Sequence, residues 1–227
     1  MIAIVVVAAL GLLFFLTSVK RQKTELSTTP DAPVGFGYKN QWLTVKTSDP
    51  KGLAEFLEIS GLKPANWASG VKAAYEGDIF ISPVIDGWVV VLGIEITDPD
   101  KEEDKELFRK LSKKYGECQF FLTHRVVEYH AWVQAKEGEI TRSYVYFAEE
   151  GTLDISGKPT DIEKGLHLVN TFSEESNEEG YWDREDLCIP DEELVMKIAE
   201  GWSSANPRRL DKDTEVTALG LVGKSHY

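Results

Sequence analysis

Two histidines and a glutamate lie close together in the run from Cys118 to Phe147, CQFFLTHRVVEYHAWVQAKEGEITRSYVYF: His124, Glu128 and His130. A carboxylate beside an imidazole is the smallest apparatus for acid/base chemistry, because the carboxylate orients the ring and stabilises its protonated form. Residues two apart on a strand share a face, so the three side chains are expected to project together with Val126 and Trp132. At about 3.3 Å per residue, Glu128 and His130 lie ~6–7 Å apart along the strand, near enough for one to orient the other or for both to reach one metal ion. His124 lies ~13 Å from Glu128 on the same rise, so a straight strand cannot bring all three to one ion. Three readings stay open: a polar sheet face with each histidine hydrogen-bonded to a neighbour, a general acid/base pair, and a metal site. The last needs further ligands that the sequence does not show. No metal and no cofactor is therefore expected.

Tyr129, Tyr144 and Tyr146, with Arg142, make a second group. If the turn at Lys136-Glu137-Gly138-Glu139 has two residues, Tyr129 faces Tyr146 and Ala131 faces Tyr144. Such a ladder is either core packing or a binding surface rich in the residue types that anchor interfaces.

A third group is electrostatic. Glu174 to Glu193 holds ten Asp or Glu and a single basic residue, Arg184. Embedded in it are Tyr181 and Trp182, flanked by Glu178, Glu179, Asp183 and Glu185. Exposed aromatics inside a like-charged loop can anchor a basic protein while the carboxylates steer its approach. The alternative is a solvated loop whose aromatics tuck back onto the domain.

The elements that must hold these groups read as an α+β domain: a mixed, mainly antiparallel sheet with about three packed helices. The 118–147 run, rich in Val, Tyr, Phe and Trp, predicts a β-hairpin in mid-sheet with the helices on one face. Gln41 to Thr47 predicts a first strand. Asp49-Pro50 opens a helix through Leu53, Phe56 and Leu57 that Gly61 ends. Lys63 to Trp67 reads as a loop, and Ser69 as the cap of a short helix. Trp88 to Ile96, WVVVLGIEI, predicts a central strand covered on both faces. Asp98-Pro99-Asp100 begins the clearest helix, with Leu107, Phe108, Leu111 and Tyr115 on one face and charges placed as the helix dipole favours. Ile155 to Pro159 reads as a turn, and Pro190-Asp191 opens a last helix that Asn206-Pro207 stops. The tail from Thr214 to Gly223 predicts a short strand or a surface wrap.

The balance of the whole chain, 25 basic against 38 acidic residues, gives −13. Such a field repels phosphate backbones, which argues against nucleic-acid binding and for a basic protein partner. Cys118 and Cys188 form neither a CxxC pair nor a disulfide framework. The phosphate loops GxxxxGK[ST] and GxGxxG, the nucleophile elbow GxSxG, HExxH and an EF-hand loop are all absent from the sequence.

Residues 1–19, MIAIVVVAALGLLFFLTSV, contain no charged side chain and are followed by Lys20, Arg21 and Lys23. The run is roughly long enough for a ~30 Å hydrocarbon core. With basic residues only after it, and a bulky Leu16 where a cleavage site wants a small residue, it reads as an uncleaved single-pass anchor. The positive-inside bias then leaves the domain in the cytoplasm. Residues 20–37, rich in Ser, Thr and Pro, read as a polar tether, and 38–227 as a single globular domain. The sequence thus points to a membrane-tethered acidic interaction protein, for which an inhibitor or immunity-type role fits by analogy. The alternative is a hydrolase-type enzyme using Glu128 and His130.

Overall fold

The computed structural model describes residues 24–95, 98–203 and 218–225. The apolar run 1–19 with its basic flank, Ile96, the Asn206-Pro207 stop and the first residues of the tail from Thr214 lie outside the described residues. Among the described residues no helix is long and apolar enough to cross a membrane.

In chain order the elements are β1 (Asn40–Lys46), α1 (Pro50–Phe56), β2 (Ser60–Ala65), α2 (Trp67–Tyr75), β3 (Ile79–Ile81), β4 (Trp88–Leu92), α3 (Glu102–Tyr115), β5 (Glu117–His124), β6 (Tyr129–Lys136), β7 (Glu139–Phe147), β8 (Gly151–Gly157), β9 (His167–Leu168), β10 (Leu187–Cys188), α4 (Glu192–Trp202) and β11 (Gly220–Lys224). Two 3-10 turns, Glu174–Asn177 and Tyr181–Asp183, separate β9 from β10. Nine strands form one sheet in the order β2-β11-β3-β4-β1-β5-β6-β7-β8, every neighbouring pair antiparallel. β9 and β10 make a separate two-residue parallel pair. The protein is thus α+β, with a mainly antiparallel sheet and four helices.

The helices cover both faces of the sheet, rather than the one face expected. Trp42, Phe80, Phe121 and Trp132 pack with α2 and α4 on one side. Leu43, Val45, Phe120 and Val133 pack with α1 and α3 on the other. The cause is legible in the strands themselves: β4 sends Val90 and Leu92 to one core and Val89 and Val91 to the other. A strand buried on both faces reads as a continuous apolar run, and β4 sits in mid-sheet as that run requires.

Several boundaries differ from the sequence expectation. Lys63 and Pro64 lie in β2, at the sheet edge, where a proline's missing N–H removes no ladder bond on the open side. Helix α1 ends at Phe56, because Glu58 turns into the left-handed region (φ +53) before Gly61 is reached. Asn66, not Ser69, caps α2, its side chain accepting from the Ser69 N–H at 3.1 Å. Ile155 and Ser156 belong to β8, which runs on to Gly157 (φ +73) rather than turning. Asp49 and Asp191 cap α1 and α4 as expected, accepting from Gly52 N and Leu194 N.

The polar stretch after residue 23 has no regular structure, yet from Thr24 it is applied to the domain rather than hanging free of it. The Ser27 carbonyl accepts from the Asn66 N–H at 2.8 Å, and the Asp31 carboxylate accepts from the Trp67 and Ala68 N–H groups at 2.7 and 3.0 Å. Those donors are the orphan amides that open α2, so the segment completes a helix terminus. Phe36 is buried and meets Trp42 edge-on with ring centroids 5.8 Å apart.

Candidate functional site

The 118–147 run folds as three strands, not a single hairpin of two. β5 and β6 are joined by a turn over 125–128 that places Glu128 at φ +47. Val126 and Val127 keep β-forming character through that turn, which conceals it in the sequence. His124 and Glu128 therefore stand on opposite sides of a chain reversal, and the common face predicted for His124, Glu128 and His130 does not exist. His124 is exposed at the end of β5. Glu128 and His130 do meet, with Glu128 Oε2 3.0 Å from His130 Nε2. The other ring nitrogen, Nδ1, lies 3.1 Å from Thr123 Oγ1. Hydroxyl, imidazole and carboxylate form one chain of contacts. Its middle member is completely buried, and only Glu128 reaches solvent.

A cleft of about 510 Å³ opens at this end of the sheet. Lys39, Tyr75, Thr123, His124, Val127 and Tyr129 are among its lining residues, whereas Glu128 and His130 are not. Among the described residues no group of three or more His, Cys, Asp or Glu side chains is arranged to hold a metal ion.

The tyrosine ladder is out of the expected register by one residue. The two-residue turn is present, with Glu137 at φ +51 and Gly138 at φ +91, and Lys136 pairs with Glu139. A bulge at Thr141 then moves every later partner, so that Tyr129 faces Phe147, His130 faces Tyr146 and Trp132 faces Tyr144. Tyr129 accordingly packs toward the α1/α3 side, and Tyr144 and Tyr146 toward the α2/α4 side. Trp132 stacks on Tyr144 with centroids 4.5 Å apart, and the Tyr144 hydroxyl donates to the Val169 carbonyl at 2.8 Å. Burial raises the Tyr144 phenol well above its ordinary value, so it stays a neutral donor.

Arg142 is not at a surface either. Its guanidinium grips Glu163, with Nε at 2.8 Å and a second nitrogen at 2.6 Å from Oε1. Trp132 Nε1 donates to the same oxygen at 3.0 Å, and Thr160 donates its N–H and hydroxyl to the other. Burial opposes the charge on Glu163, but the bonds from Arg142 and Thr160 outweigh it and hold the carboxyl below the usual glutamate range. Glu163 escapes a reading based on charge runs. The sign that it matters is the spacing Thr160-x-x-Glu163, which places a glutamate three residues after a threonine as in a capping box.

The acidic segment is built differently. Trp182, Glu178, Glu179, Asp183 and Glu185 are all exposed, Trp182 at 52%. Tyr181, expected beside Trp182 on the surface, is 2% exposed. Its hydroxyl accepts from the Asn170 N–H at 3.0 Å, and its ring meets Trp182 edge-on at 5.3 Å. Neighbours in a 3-10 turn cannot both face the domain, so burying one aromatic expels the other.

The lone basic residue ties the loop together. Arg184 binds Asp186 through Nε and Nη2 at 3.0 and 2.9 Å, and also binds Glu175. His167 of β9 joins the same cluster, with Nδ1 3.0 Å from Asp186 Oδ2 and Nε2 3.4 Å from Glu175 Oε2. Arg184 first, then His167, hold the Asp186 carboxyl far below its ordinary range. His167 has no neighbour in sequence that advertises this role; the β9–β10 pairing of His167 with Leu187 brings it in. No protein-family model, no curated protein and no solved structure matches this chain.

Proposed function

We propose that this protein is an acidic interaction module, carried on the membrane by residues 1–19 with its domain on the cytoplasmic side, that binds a basic protein partner through the loop around Trp182. The observation that carries this reading is the half-exposed Trp182 indole, seated on a 3-10 turn and flanked in sequence by the exposed carboxylates of Glu178, Glu179, Asp183 and Glu185. Carboxylates steer and the indole supplies the desolvated contact. Tyr181 contributes from below, as the buried member that fixes the outward direction of Trp182. An inhibitor-like role, occupying a basic site on the partner, suits a surface of this sign.

Partner capture from native membranes at low and high salt, followed by binding of the captured protein to variants, tests the reading. Trp182→Ala should weaken binding by roughly 2 kcal/mol, about thirtyfold, without lowering thermal stability. Neutralising Glu178, Glu179, Asp183 and Glu185 together should slow association and flatten its salt dependence. Wild-type binding by both variants would sink the proposal. A C-terminal reporter active only outside the cytoplasm would overturn the stated orientation.

The contact chain from Thr123 through His130 to Glu128 supports a second reading, acid/base chemistry at the neighbouring cleft. That reading requires Glu128→Gln to abolish the cellular phenotype while the fold and partner binding remain intact.

A further inference from the structure

Four described large apolar side chains are more than half exposed, and three of them, Phe172, Trp182 and Ile189, fall in the single segment 172–189. Isolated exposed apolar residues are ordinary on a protein surface, but three of them in one short stretch of chain single that stretch out as a contact segment. Here they occur in the most acidic part of the chain, where solubility alone would favour none.

The local architecture keeps them in one lobe. The 3-10 turn bearing Trp182 packs against the 3-10 turn Glu174–Asn177 on one side and against β10 on the other. Phe172 lies two residues before the first of these and Ile189 one residue after the second. Both ends are pinned. Asn170 N–H donates to the Tyr181 hydroxyl, Ser176 Oγ donates to the Thr171 carbonyl at 3.2 Å, and the Cys188 carbonyl accepts from Val169 N–H at 3.2 Å. The Arg184 cluster closes the middle. Apolar side chains and carboxylates are thus held in a lobe that needs little ordering on binding, which favours affinity.

We infer that the partner segment is a cationic amphipathic one, an element that carries large apolar side chains along one face and Lys or Arg at the margins of that face. This rests on the reading of the loop as a site for a basic protein and adds what that protein must offer. A purely basic, polar segment would satisfy Glu178, Glu179, Asp183 and Glu185 but leave Phe172, Trp182 and Ile189 in water. A purely apolar one would strand the carboxylates at a drying interface, which is costly. Charge complementarity and apolar contact are met together only by the amphipathic class.

The test uses the full chain in nanodiscs of neutral phosphatidylcholine, with empty discs subtracted, and two synthetic peptides of equal length and equal positive charge. One is an amphipathic helix with Leu and Trp along one face and Lys and Arg at its margins; in the other, Ser and Gly replace the apolar residues. The amphipathic peptide should bind at least roughly thirtyfold more tightly; Trp182→Ala should weaken it roughly thirtyfold, and Phe172→Ala and Ile189→Ala each roughly fivefold. The same three variants should leave the polar peptide unaffected. Equal, salt-sensitive binding of both peptides would overturn the amphipathic inference and leave a basic partner standing. Binding of neither peptide, or binding indifferent to salt and to the loop carboxylates, would overturn both.

Discussion

Arg142 and Arg184 both hold carboxylates, and their surroundings differ in kind. Arg142 and Glu163 are 2% and 0% exposed, with two guanidinium nitrogens and Trp132 Nε1 on Oε1 and the N–H and hydroxyl of Thr160 on Oε2. Arg184, Glu175 and Asp186 are 32%, 40% and 62% exposed, and their cluster faces water beside Trp182. Both Arg142 nitrogens converge on one oxygen of Glu163, whereas Arg184 meets Asp186 as a two-oxygen fork. In the first, losing one partner leaves a charge with no solvent to receive it. In the second, water stands ready to replace whatever is removed. The comparison teaches where a charge cluster serves the fold and where it serves the surface: the deciding quantity is the solvent left to each group, not the number of ion pairs.

Glu163→Gln should have the largest effect. It strands the Arg142 charge inside the domain, and a loss of about 3 kcal/mol of unfolding free energy is expected from denaturant titration. The same pair predicts the acid limit of stability. Glu163 is held below its ordinary pKa in the folded state, so its contribution is complete above the unfolded-state value. It is lost as pH falls through the lower folded value. The parent should lose stability across that acid window, and Glu163→Gln should show a flatter profile. A small effect of the substitution would erase the distinction between the two clusters.

Arg184→Gln comes next. Melting should stay close to that of the parent, while hydrogen exchange over 174–186 accelerates and partner binding weakens, because the loop loses the clasp that presents Trp182. A fall in melting temperature matching that of Glu163→Gln would break the comparison from the other side.

The smallest effect is expected at Glu128→Gln. Its carboxylate is half exposed, so stability should stay within about 0.5 kcal/mol of the parent and binding at the acidic loop should not change. A larger loss of stability would mean that the bond to buried His130 behaves like the Arg142 cluster despite its solvent.

Much of the fold was legible from local patterns. The Asp49 and Asp191 caps, the dipole-ordered charges of α3 and the Gly116 stop (φ +90) lie where residue chemistry puts them. What escaped depends on contacts made across the sheet. The Thr141 bulge carries no residue type that marks it, yet it moves the partner of every residue from Gln134 back to Tyr129. The turn between β5 and β6 escaped because valines fill it. The acidic loop was legible as a charge pattern, and Trp182 as its aromatic. Which of Tyr181 and Trp182 faces outward was not, since the choice is made by Asn170, on a different part of the chain. Phe172 and Ile189 lacked any signal because exposure is a property of the folded lobe, not of the residues.

The strand order has a consequence for reach. Thr24 and Leu26 lie beside Ser60 and Lys63 at the β2 end of the sheet. The approach to the acidic loop runs along the outer side of β8, where Thr152 bonds Thr171 and the Val169 carbonyl. Eight inter-strand steps of about 4.8 Å separate those margins, roughly 40 Å. With a Debye length of about 8 Å at physiological ionic strength, a charge at one margin is electrically invisible at the other. The sheet thus acts as an insulating spacer: a ligand charge met at the β2 margin leaves the carboxylates around Trp182 undisturbed.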